Sequence, residues 1–291
     1  MTAQTFSGGL EVVPVSSPIG GFAHEVRAVS IVWQREMTRM LGDKARMIST
    51  LLQPLLFLFV LGAGLSAAVS GSSGGANFKT FLFPGVLVTG ILFTAVFSAI
   101  SIVWDREFGF MREMLVAPIS SSSIVVGKCL GGATIATIQS VLIIALAGAV
   151  HVPYRALLML GLLGVVFITS FTMTAVGLVL AARVKSVQTL MPLVNMMLMP
   201  LMFMSGSLYP LGPQSPRWLD LVSRFNPLTY AVASARSLVI HSLAADNPTR
   251  HLFFPPTWDG WAVPAWLDVL VVFGVGVTLL TAACLMFART E

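Results

Sequence analysis

Six long apolar runs, each bounded by polar or turn-forming residues, dominate the 291-residue chain. They predict spans at 48–69, 81–103, 124–150, 156–182, 187–208 and 264–288, because roughly 20 apolar residues in a helix cross a hydrocarbon core about 30 Å thick. Lipid offers no partner to a bare backbone N–H or C=O, and a helix satisfies these groups within one segment. A barrel would need ~10-residue alternating segments, and the pattern contains none. The first span opens at Leu51-Leu52-Gln53-Pro54 and ends in the Ser70–Gly75 run. Pro84 stands near the start of the second, where a proline costs little. From Tyr209 to Val263 the chain is partly apolar and rich in proline and tryptophan. A full span at 226–245 would put Arg236 and His241 into lipid, which is costly. The pattern there predicts re-entrant helix within 209–250.

Two amphipathic segments stand apart from the spans. From Phe22 to Leu41, apolar residues recur at Phe22, Val26, Val29, Trp33, Met37 and Met40, with His24, Arg27, Arg35 and Arg39 opposite. This predicts a helix along the membrane surface, with Trp33 at the headgroup level. The second runs from Asp105 to Pro118 between the second and third spans. Asp105, Arg106, Arg112 and Glu113 are predicted to share one helical face, while Phe108, Met111 and Leu115 form another; Pro118 stops the helix. Charge on one side and bulky anchors on the other suit docking against a soluble partner. A solvated connector is the alternative.

Composition agrees with the pattern. The chain is 56% hydrophobic and 10% charged, with a mean hydropathy of +0.88, whereas soluble domains carry about 25% charged residues. The net charge of +5 follows from basic residues at helix ends rather than from a nucleic-acid-binding patch. With the N-terminus inside, eleven of the seventeen Lys and Arg residues face the cytoplasm: Arg27, Arg35, Arg39, Lys44, Arg46, Arg106, Arg112, Lys128, Arg183, Lys185 and Arg289. Both termini are therefore expected inside. Residues 1–21 have no basic stretch leading into an apolar core; they predict a flexible tail rather than a signal peptide. Cys129 and Cys284 fall in apolar runs, and no Cys/His ligand spacing points to a metal.

The fold expected is all-α and polytopic: a connecting helix in 22–47, a membrane domain over 48–288, and a cytoplasmic helix at 105–117. Polar residues inside spans are the usual pointers to a transport path, and here they are Gln53, Gln139, Gln188 and Asn195. Amides of this kind also serve as interhelical hydrogen bonds, worth about 0.6 kcal/mol on average. The fifth span carries Met191, Met196, Met197, Met199, Met202 and Met204. Methionine suits surfaces that accept varied apolar ligands, although it also fills cores. Pro192 and Pro200 would bend this span. No Asp, Glu, Lys or Arg sits mid-span, which argues against a proton relay. The four histidines are scattered, which argues against a membrane-embedded enzyme.

Four stretches resemble the permease subunits of ABC-2 type (type V exporter-like) transporters, including daunorubicin- and multidrug-resistance-type exporters and polysaccharide exporters. They are Gln53–Phe57, then Trp104–Glu107 through Leu115–Ser120 with Gly127-Lys128, then Met204–Pro210, and last Asn226–Tyr230 with Arg236. The likeness covers about residues 22–288. One departure is visible: the family motif often carries Thr or Glu near Phe110 and Met111. The resemblance implies that 105–117 is the coupling helix that takes up the motion of an ATPase partner. Asp105, Arg106, Glu107, Phe108, Gly109, Arg112, Glu113, Leu115 and Pro118 would be its contact residues. It also implies an outer re-entrant motif at Gly206, Pro210, Asn226, Pro227, Tyr230 and Arg236, in a bacterial cytoplasmic membrane protein.

The only Gly-Lys is Gly127-Lys128, followed by Cys129, and the glycine-rich turn of a phosphate loop is missing. ATP and Mg would therefore be bound by a separate subunit, in an assembly of two permeases and two ATPases. The substrate path would run along Gln53, Gln139, Asn195, Met196, Met197 and Met199, for a drug, lipid or other amphiphile. A polysaccharide or glycolipid would favour a Trp/Tyr ladder, and the mid-span aromatics are mostly Phe.

Overall fold

A computed structural model describes residues 21–69, 77–109, 120–212, 215–258 and 261–289. Arg112, Glu113, Leu115 and Pro118, and the expected tail apart from Gly21, lie outside them. The chain opens with α1 (Phe22–Gly42), then α2 (Lys44–Leu56), a π-helical stretch (Phe57–Leu61) and α3 (Gly62–Val69). Next come α4 (Phe78–Ser98), α5 (Ile100–Glu107), α6 (Ser121–Ile144), α7 (Ala156–Arg183) and α8 (Val187–Phe203). Two shorter helices, α9 (Arg217–Phe225) and α10 (Pro227–Ser242), precede α11 (Ala265–Ala288).

Among the described residues, five helical runs are long and apolar enough to cross a membrane: Met47–Ser66, Phe78–Glu107, Ser121–Ile144, Ala156–Arg183 and Ala265–Ala288. The fifth expected span, 187–208, is the 17-residue α8, about 26 Å long at 1.5 Å per residue and short of a full hydrocarbon core. It stops early because Met204 to Ser207 turns back, with Gly206 at a positive φ of 69°, a conformation open mainly to glycine. The second span is longer than the predicted 81–103 and runs on to Glu107, so Asp105–Glu107 forms the last turn of α5 rather than the start of a separate helix. A two-residue antiparallel pair, Thr257–Trp258 with Trp261–Ala262, is a small addition to the all-α expectation.

The core runs along α4, which is buried on almost every side from Phe78 to Val96 and packs against α6, α7 and α10. Lipid tails are as apolar as leucine, so helices in a membrane associate by close approach and interhelical hydrogen bonds instead. At the crossing of α7 and α11, a Cβ on Gly276 would lie 2.5 Å from Thr172 Oγ1, and Thr172 donates to the Val272 carbonyl at 2.9 Å. Helix α1 approaches α6 the same way, over the Gly127-x-x-x-Gly131 face. Added β-carbons there would come within 2.7 Å of Val32 and 2.9 Å of Glu36.

The face of α1 that packs on the bundle is therefore Ala28, Val32 and Glu36, spaced at i, i+4 and i+8. The predicted apolar face lies largely elsewhere: Phe22 and Val26 are exposed, and Val29, Met37 and Met40 are half-buried. Trp33 is also half-buried, and its indole N–H donates to Thr134 Oγ1 at 3.1 Å. That bond gives its polar edge a partner inside the protein.

Candidate functional site

Where α1, α5 and α6 meet, five charged side chains close on one another. Lys128, one turn after the Ser121–Ser123 start of α6, has a side chain only 1% exposed. An isolated buried ammonium would be very costly, and here each of its three protons has an acceptor. Nζ lies 2.7 Å from Glu36 Oε1 and 2.6 Å from Asp105 Oδ2, and it donates to Ser101 Oγ at 3.0 Å. Arg35 donates to Asp105 Oδ2 at 2.5 Å. Arg39 stands 3.8 Å from the other Asp105 oxygen, with its guanidinium 5.0 Å from the Trp104 ring centroid. Three cations thus share two buried carboxylates. The cluster forms only because glycines at 127 and 131 let α1 lie against the Lys128 turn of α6.

The last turn of α5 distributes its side chains to different neighbours. Asp105 binds α1 and α6, as above. Arg106 Nη1 donates to the Val184 carbonyl at 3.0 Å and, at 3.4 Å each, to those of Ala181 and Ala182, the orphan acceptors ending α7. Its guanidinium also lies 5.1 Å from the Phe287 ring of α11. Glu107 accepts the Val187 N–H at 3.0 Å, at the start of α8, where a carboxylate complements the helix dipole. One helical turn therefore touches α1, α6, α7, α8 and α11. Asp105 and Arg106 do not form the single outward face expected of them; successive residues on a helix point about 100° apart, and both point inward. Glu107 and Phe108 are exposed, Phe108 to 70%, and Gly109 ends the turn at φ +82°.

The other end of α1 is also tied down. Glu25 accepts hydrogen bonds from the hydroxyls of Ser120 (2.7 Å) and Ser123. The Ser123 and Ser120 hydroxyls hold the Glu25 carboxyl below its ordinary range. Ser120 also caps α6 by accepting the Ser123 N–H.

The expected path residues do not come together. Gln139 is 3% exposed; it accepts from Thr94 Oγ1 and donates to the Met47 carbonyl and Thr50 Oγ1, joining α2, α4 and α6. It is an interhelical tie. Asn195, Met196 and Met199 are exposed along one side of α8, Met197 is half-buried, and Gln53 is exposed on α2. The residues named for an outer re-entrant motif lie closer together. Asn226 caps α10 by accepting the Leu228 N–H and donates to the Leu201 carbonyl at 2.8 Å. Pro227 opens α10 at its first position. Tyr230 donates to the Arg224 carbonyl and accepts the Trp258 indole N–H. Arg236 reaches the carbonyls of Gly206 and Ser207, and Pro210 follows, half-buried.

Glu36 and the structural use of Lys128 were missed from the sequence. Their signal was present: a glutamate on the same stripe as Ala28 and Val32, and a lysine directly after the first glycine of a G-x-x-x-G face.

The family described as ABC-2 type transporter matches residues 27–240. The chain is 31% identical over 200 residues to the provisionally named transport permease ycf38 of Cyanophora paradoxa, covering 67% of this chain and 68% of that one. Nodulation protein J of Rhizobium leguminosarum bv. trifolii is 28% identical, over 72% of this chain and 80% of its own. Inner membrane transport permease YadH of Escherichia coli K12 is 22% identical, with coverages of 72% and 81%.

Proposed function

The chain belongs to the ABC-2 type transporter family, and on that premise we propose that it is the membrane-spanning permease of an exporter that moves a drug, lipid or other amphiphile. ATP and Mg are bound and spent by a separate ATPase subunit, and two permeases stand over two ATPases. The protein sits in a bacterial cytoplasmic membrane with both termini inside. That orientation puts the five-charge cluster and Phe108 on the cytoplasmic side, and the motif of Asn226, Tyr230 and Arg236 on the other.

One observation carries the reading. The final turn of α5 grips five helices through Asp105, Arg106 and Glu107, and the next residue, Phe108, stands out at the surface. A partner that grasps Phe108 and the segment after it pulls on a turn with no slack toward the bundle. Packed interfaces of this kind move between discrete arrangements rather than deforming continuously. The stripe of Asn195, Met196 and Met199 on α8 supplies an exposed, adaptable surface for the substrate or a second permease.

The test is reconstitution of the chain with its ATPase in vesicles loaded with a fluorescent amphiphile. Transport is expected to require both subunits and hydrolysable ATP, and to persist after a protonophore collapses the proton gradient. Transport by this chain alone, or its loss on adding the protonophore, overturns the reading.

A further inference from the structure

A cavity of about 380 Å³ lies at the end of the bundle opposite the ion cluster. The two ends are marked on one helical run by Phe81 and Asp105, about 36 Å apart at 1.5 Å per residue. The cavity is bounded by α9, α10 and the 253–257 segment, and Arg236 is part of its wall.

Arg236 is only 5% exposed. Both its main-chain bonds leave from Nη2, to Gly206 O at 3.0 Å and Ser207 O at 3.3 Å, and its Cζ sits 4.0 Å from the Phe81 ring centroid. Nε has no hydrogen-bond partner among the described residues. Among the described residues no carboxylate forms an ion pair with it. The contrast with Lys128, which is matched by two carboxylates, is direct. Arg224, also on the cavity wall, is matched by Asp220 at 2.7 Å. Asp268 is buried as well but does not line the cavity. Two turns before Arg236 on the same side of α10, Thr229 lines the cavity too. It is 5% exposed, and its hydroxyl has no partner among the described residues.

A buried cation with no counter-charge is expensive to keep, and among the described residues an unpaired guanidinium N–H and an unpaired hydroxyl share one cavity. We propose that this cavity binds a phosphate group, held by Arg236 and Thr229. The guanidinium fork matches phosphate oxygens in geometry and charge. The rest of the wall is mixed: Ser205, Arg217 and Asp220 are polar, while Leu211, Val232, Ala233, Phe253 and Phe254 form an apolar part that suits the glycerol and acyl portions of a phospholipid. A volume of about 380 Å³ takes a headgroup rather than a whole lipid. Binding needs neither ATP nor a partner, so its failure would leave the exporter reading untouched.

The experiment is a thermal-shift titration of the full chain in a nonionic detergent. The probes are dihexanoyl phosphatidylglycerol, dihexanoylglycerol, which has the same acyl chains and no phosphate, and inorganic phosphate. The anionic lipid is expected to raise the melting temperature saturably, with half-saturation about tenfold below that of the phosphate-free lipid, the scale of one charge-assisted hydrogen bond. Inorganic phosphate that stabilises and competes identifies a small-anion site; phosphate that does neither, while the anionic lipid binds, identifies a lipid headgroup site. Arg236→Gln should abolish the tenfold preference. If that variant does not fold, Thr229→Val, which keeps the charge, and Ala233→Leu, which narrows the cavity, should each weaken binding several-fold. Equal half-saturation for the two lipids with no response to phosphate, or unchanged titrations in both Thr229→Val and Ala233→Leu, overturns the proposal.

Discussion

Lys128→Met is expected to cost about 3–5 kcal/mol of stability, the range for removing one partner of a buried ion pair. Methionine fills similar volume, so packing is nearly conserved and the effect is electrostatic. Without the ammonium, Glu36 keeps only Arg35 at 3.8 Å among the described residues, and Asp105 keeps Arg35 and Arg39 from the half-exposed side. Both carboxylates remain buried, and that is the source of the cost. Neutralising the stranded acid should return part of the loss. The double variant Lys128→Met with Glu36→Gln is expected to be more stable than the sum of the two single changes, with a coupling of about 0.5–3 kcal/mol. Melting temperatures of the four proteins in one detergent measure it. Additive behaviour would mean that Lys128 and Glu36 do not meet.

Gly85→Ala is the second change expected to do severe damage, at the other end of the molecule. A Cβ there would sit 1.8 Å from the Ser207 carbonyl oxygen and 2.7 Å from its carbon. The obstacle is backbone, so no side-chain rotation relieves it. The turn after α8 must move away from α4, and it carries the Gly206 and Ser207 carbonyls that hold Arg236. Overpacking of this kind costs about 1–3 kcal/mol and occasionally more, and the Arg236 bonds are lost with it. Gly164→Ala on α7 is the control, because nothing lies within 4 Å of the added carbon; alanine there should be neutral or slightly stabilising. A melting temperature for Gly85→Ala equal to that of Gly164→Ala would place the turn elsewhere.

The spans were legible because a bilayer demands long apolar runs, and such runs survive without knowledge of tertiary contacts. Their ends were less so. The second span was expected to stop at the first charge, yet Asp105, Arg106 and Glu107 continue the helix because each has a partner in a different neighbour. The fifth was expected to reach residue 208, but Gly206 turns the chain back first. The motif of Asn226, Pro227 and Tyr230 came from the family resemblance alone; the cap that Asn226 forms on α10 is local, but its bond to the Leu201 carbonyl is not. The ion cluster joins residues separated by up to 93 positions, from Arg35 to Lys128, and periodicity along one helix cannot reveal such pairs. For the same reason Gln139 looked like a path residue; its partners on two other helices make it a tie. Glu36 hid on a helix whose net charge pattern already suggested a surface.

The central claim is that the turn ending at Phe108 passes force from an ATPase partner into the bundle. Its most direct measurement is the amount of amphiphile transported per ATP hydrolysed in vesicles, with subunit assembly checked by co-purification, for wild type, Glu107→Ala and Phe108→Ala. Both variants are expected to lower that ratio, or to weaken capture of the ATPase in the case of Phe108→Ala. If both assemble with the ATPase and transport the wild-type amount per ATP, force does not enter the bundle through this turn.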